Sequence, residues 1–170
     1  MASAVKSRSD DATSLTETFL APNPVPSSTA WESDTAHQVR LGKSLVRIEH
    51  VGNLPDWMRE VLARLNQVAR MPENWDTYGA VPVNQRTLEH SLLVLTKLMP
   101  ASRYLPRILA STHGGVLLQW DDGRRELEIS VDAPMRGSVY YTDHESGDED
   151  EEQLSLDLKP VIQRVGSFWR

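Results

Sequence analysis

Apolar residues between positions 55 and 69 return with helical spacing. Trp57, Met58, Val61, Leu62, Leu65, Val68 and Ala69 form one stripe, and Arg59, Glu60, Arg64 and Gln67 fall outside it. Pro55 suits a first helical turn, and Asp56 complements the positive end of the helix dipole. A second helix is predicted from the N-cap Asn84 to residue 99. Leu88, Leu92, Leu95 and Met99 share a face that Leu93, Val94 and Leu98 widen, and Pro100 ends the helix. The intervening residues 70–83 hold the breakers Pro72, Gly79 and Pro82 and read as a loop.

The period then falls to two. Residues 107–111 make a candidate strand and His113-Gly114-Gly115 a turn, after which Val116, Leu118 and Trp120 alternate with Leu117 and Gln119. Asp122-Gly123 suits a tight hairpin, whose turn needs positive φ. Leu127, Ile129 and Val131 alternate with Glu126, Glu128, Ser130 and Asp132, and a turn at 133–137 leads to a strand at 139–142. Residues 44–50 alternate weakly, with Val46 and Ile48 on one side, as in an edge strand. Leu154, Leu156 and Leu158 alternate like a short strand, and the residues from 160 onward suit a helical turn or two. The expected fold class is α+β: two packed helices against a four-stranded antiparallel meander, with a short C-terminal element and a flexible N-terminal arm.

Composition draws the boundaries. Residues 1–43 are rich in Ser, Thr, Ala and Pro, with Pro22, Pro24 and Pro26 in close order, and read as the arm. Phe19, Leu20 and Trp31 are its apolar exceptions and its candidate docking points. Residues 44–170 form a single α+β domain with an acidic loop at 143–152. A chain of 170 residues, 39% hydrophobic and 25% charged, has the makings of a globular core. The absence of cysteine excludes disulfides, thiolate nucleophiles and Cys-based metal sites, and fits a reducing compartment. The first ten residues contain no apolar signal region, and the most apolar run is residues 92–95, so a cytoplasmic protein with no membrane partner is expected.

Charge is unevenly spread. The net charge is −6, yet residues 51–142 carry ten basic and ten acidic groups. Residues 143–170 carry three basic and eight acidic groups, seven of the carboxylates lying within residues 143–152. The balanced domain lacks the basic face that direct nucleic-acid binding requires.

Two segments carry a resemblance. Asn74-Trp75-Asp76-Thr77-Tyr78-Gly79-Ala80 precedes Gly114-Gly115-Val116-Leu117-Leu118-Gln119-Trp120, which is followed by Arg125-Glu126-Leu127-Glu128-Ile129. Over residues 70–142 this resembles a loose group of small uncharacterised bacterial proteins with an N-W-D-x-Y-G-A loop followed by a G-G-V-x-L-x-W β-hairpin. Gln119 stands where that pattern leads one to expect an acidic residue. The resemblance implies a single fold and a bacterial or phage origin, and it implies no reaction.

Candidate chemistry is sparse. Asn74, Trp75, Asp76 and Tyr78 gather amide, indole, carboxylate and phenol groups in one loop, suited to partner binding or to plugging the core. The acidic residues Asp148, Glu149, Asp150, Glu151 and Glu152 suit a basic protein surface, nucleic-acid mimicry, or a solvated self-repelling loop. Glu126 and Glu128 share one face of a strand and, with Asp76 and Tyr78, would supply a small-ligand or enzymatic site if all four converged. The five histidines form no paired ligand motif, and no nucleophile elbow or phosphate loop is present, so no cofactor, metal or catalytic residue is assigned. The leading expectation is a non-enzymatic protein-interaction module: an inhibitor, an immunity-type protein or a small subunit of a larger bacterial or phage-related complex, recognising a protein with a basic surface.

Overall fold

The computed structural model describes residues 34–168, which fold as α+β with three helices and seven strands in two antiparallel sheets. The described residues open with a hairpin of β1 (Asp34–Leu41) and β2 (Ser44–Val51). Its turn at Gly42-Lys43 has Gly42 at φ +59°, a conformation that favours glycine. Helix α1 (Asp56–Val68) and helix α2 (Gln85–Leu98) hold this turn in place. Gly42 N donates to Asn66 Oδ1 at 2.8 Å, Lys43 N donates to Gln85 Oε1 at 2.9 Å, and Gln85 Nε2 donates to the Leu41 carbonyl at 2.8 Å.

Residues 34–43 are therefore not part of an arm. The strand escapes a reading for apolar alternation because His37 takes one of its inward positions and only Leu41 is fully buried. The rest of the expected arm, with Phe19, Leu20 and Trp31, lies outside the described residues.

The two helices follow their apolar stripes. α1 buries Met58, Val61, Leu65 and Val68, and α2 buries Leu88, Leu92, Val94, Leu95 and Leu98. Asn84 caps α2 by accepting from Thr87 N at 2.9 Å. Leu93 departs from expectation and is exposed. A single 3₁₀ turn, Met99–Ala101, follows α2.

The main sheet runs β3 (Arg107–Ala110), β4 (Val116–Asp121), β5 (Arg125–Ala133), β6 (Arg136–Asp143) and β7 (Asp148–Gln153), each pairing with its sequence neighbours. The meander thus has five strands and not four. The acidic segment expected as a loop at 143–152 makes a hairpin turn and then the fifth strand. Helix α3 (Lys159–Ser167) is the last described element, burying Val161 and Val165 with Phe168 just beyond it. Leu154 is buried before α3, whereas Leu156 is exposed, so the three alternating leucines do not form a strand.

One layer of apolar side chains joins helices and sheet. Ile108, Val116, Leu118, Trp120, Leu127, Ile129, Val131 and Val139 meet the buried faces of α1, α2 and α3. Trp120 is 2% exposed, and its indole N–H reaches both Ser102 Oγ and the Tyr104 carbonyl at 3.1 Å. A buried indole with its one donor satisfied adds apolar burial with no orphaned polar group.

Candidate functional site

Residues 74–80 form a loop that holds itself together. Asn74 N donates to the Ala80 carbonyl at 2.8 Å, which closes the loop's neck, and Thr77 N donates to the Asn74 carbonyl at 3.0 Å. Asp76 Oδ1 accepts from Tyr78 N at 2.8 Å and Ala80 N at 3.0 Å, and Asn74 Oδ1 accepts from Gly79 N at 2.7 Å. Asn74 and Thr77 sit at positive φ, +58° and +68°, in a region Asn tolerates better than most residues. The amides of Ala80 and Tyr78 hold the Asp76 carboxyl below its ordinary pKa, because they stabilise the carboxylate.

That bracing divides the four candidates. Asn74 and Asp76 each commit one side-chain oxygen to the loop backbone. Trp75 is half-buried, and its Nε1 is enclosed without a hydrogen-bond partner among the described residues. Tyr78 is 92% exposed. The loop is anchored by Val81, whose N donates to the Thr112 carbonyl at 2.9 Å beside a parallel bridge to His113. This places it at the same end of the sheet as the β5–β6 turn. Val81 and Met135 are each more than half exposed there, and Met135 is held at φ +64°.

The second candidate surface is the sheet face turned away from the helices. Pairing register aligns Asp121, Glu126, Thr142 and Glu149 in one row across β4 to β7, and Gln119, Glu128, Tyr140 and Glu151 in the next. Four glutamates and an aspartate therefore share this face, with Arg107 opposite Gln119 at its far margin. Gln119 Nε2 donates to Glu126. Burial raises the Glu128 pKa, and the neighbouring Glu126 charge raises it further.

Of the acidic run, Glu149 and Glu151 lie on this open face. Asp150 and Glu152 lie on the opposite side, facing Tyr141 and Val139. Asp150 accepts from Arg164 of α3 at 2.6 Å, and the same guanidinium stacks 5.2 Å from the Tyr141 ring. Asp148 accepts from Ser146 Oγ at 2.8 Å in the turn.

Asp76 and Tyr78 are not brought to Glu126 and Glu128. The loop adjoins the start of β4, whereas Glu126 pairs with Asp121 at its end, ~17 Å along the strand at ~3.4 Å per residue. Among the described residues no group of three or more His, Asp or Glu side chains is placed to hold a metal ion. No helix among the described residues is long and apolar enough to cross a membrane. The open acidic face lies beyond sequence reasoning because it depends on register. Comparison with protein families, curated proteins and solved structures finds no match for this chain.

Proposed function

We propose that this chain is a non-enzymatic protein-interaction module, acting as an inhibitor, an immunity-type protein or a small subunit of a larger bacterial or phage-related complex. One observation carries the reading: Tyr78 stands 92% exposed on a loop whose polar side chains are used to fix its backbone. A tyrosine presents a large amphipathic surface at low entropic cost, and a braced loop lowers the ordering cost of association. Val81 and Met135 extend the apolar surface at the same end of the sheet. The glutamates on the open face favour a partner that is basic elsewhere on its surface, because complementary charge speeds encounter. The test is affinity co-purification of the tagged full chain from its native cells, with mass spectrometry. One stoichiometric protein, lost on Tyr78→Ala, is the expected result. No captured protein, or capture indifferent to that substitution, overturns the reading.

A further inference from the structure

Among the described residues strand β7 ends the sheet, with β6 on one side and no strand on the other. Its inward hydrogen bonds identify which backbone groups remain available. Leu154 N donates to the Gly137 carbonyl at 2.9 Å, which makes Gly137 and Leu154 a hydrogen-bonded antiparallel pair. Such pairs alternate along a ladder, so the β7 residues bonded to β6 are Asp148, Asp150 and Glu152. The N–H and C=O groups of Glu149, Glu151 and Gln153 point to the free edge. Their side chains lie on the open face opposite Thr142, Tyr140 and Ser138.

A free edge is a template for another strand, and natural edges are usually defended by charge. Here the defence has one sign. Glu149 and Glu151 repel an acidic strand, as they would a second β7, and favour a strand with cations at the facing positions. An independent feature marks the same place. Thr142 is 6% exposed on the open face between Glu126 and Glu149, and its hydroxyl has no hydrogen-bond partner among the described residues. A buried orphan hydroxyl flanked by two carboxylates suits a donor-rich ammonium or guanidinium group.

We propose that β7 takes up an extended basic segment of a partner protein as a sixth strand, with Lys or Arg at alternate positions facing Glu149 and Glu151 and one cation reaching Thr142. Backbone pairing supplies the ladder, and the alternating charge supplies the choice of partner. The inference rests on the interaction-module reading, but it uses a surface separate from Tyr78.

The test is residue-resolved amide exchange on the full chain with a short synthetic peptide carrying Lys at every second position and Thr or Val between. Protection of the Glu149, Glu151 and Gln153 amides should rise at least tenfold at saturation, with little change at Asp150 and Glu152. The same peptide N-methylated at alternate amides keeps its charge and should give no such protection. Glu151→Pro removes an outward N–H while sparing the β6 ladder, and should abolish the effect with the β6 amide signals unchanged. The double variant Glu149→Gln, Glu151→Gln should weaken binding about tenfold and flatten its salt dependence. Equal protection by the N-methylated peptide, normal binding by Glu151→Pro, or no binding of the Lys peptide overturns the proposal. Tyr78→Ala should bind the peptide as the parent chain does, so a failure here is separable from a failure of the Tyr78 reading.

Discussion

The two ends of the five-stranded sheet use similar turn chemistry to opposite effect. At the end holding the β4–β5 and β6–β7 turns, charges are answered within the chain. Asp122 accepts from the Arg124 and Arg125 amides and pairs with the Arg125 guanidinium, which also reaches the Phe168 carbonyl and stacks 5.3 Å from the Phe168 ring. Arg124 pairs with Glu145, and the Ser146 and Glu145 amides lower the Asp143 pKa. At the other end, Asn74 and Asp76 brace their loop just as tightly, but what is left outside is Tyr78, Val81 and Met135. Paired charges on one end leave little for a partner to gain. A rigid backbone under bare apolar side chains leaves much.

The largest effect should come from disturbing the strand pairing that sets these ends apart. A Cβ on Gly137 would collide with the Ser130 carbonyl oxygen across the β5–β6 pair. Gly137→Ala should cost about 2–4 kcal/mol in denaturant unfolding. A loss under about 0.5 kcal/mol would contradict the β5–β6 register that brings Gly137 against Ser130. Arg125→Ala comes next, at about 1–2 kcal/mol, because one side chain ties the β4–β5 turn to the end of α3 through an ion pair, a carbonyl bond and a ring contact.

The loop should respond locally. Asp76→Ala removes the acceptor shared by Tyr78 N and Ala80 N, so those amides should exchange several-fold faster while the unfolding midpoint barely moves. Its folded pKa lies below 3.8, so the brace is fully present above the unfolded value and is lost as pH falls through the folded one. Protection of the Tyr78 amide relative to its intrinsic exchange rate should therefore fall in acid as Asp76 is protonated, and protection that persists once Asp76 is protonated would contradict it. The smallest effect is at Glu128. Its folded pKa is raised above 4.5, so ionisation at higher pH opposes folding, and Glu128→Gln should raise the unfolding midpoint slightly at pH 7 and not at pH 3.

These contrasts were unevenly legible in the sequence. α1, α2 and strands β4 to β6 were readable because one-sided burial leaves a period of near four or of two in the apolar residues. β7 was not, because Asp148–Gln153 contains no apolar residue. It becomes a strand through the ladder to β6 and the Arg164–Asp150 pair. β1 hides behind His37 for a related reason. The loop at 74–80 was visible as a cluster of unusual side chains, but its division of labour was not. Trp75 turning inward and Tyr78 outward follows from left-handed backbone at Asn74 and Thr77, and neither Trp nor Tyr announces it.

Recognition through Tyr78 is tested by parallel capture from native cells with the parent chain, Tyr78→Ala and Leu45→Ala. Leu45 is 66% exposed on the β1–β2 hairpin and serves as an apolar surface control outside the loop. Both substitutions should leave stability within about 0.5 kcal/mol of the parent. A partner held by the parent and by Leu45→Ala, and lost by Tyr78→Ala, is the expected result. Retention by Tyr78→Ala at the parent's level would contradict it.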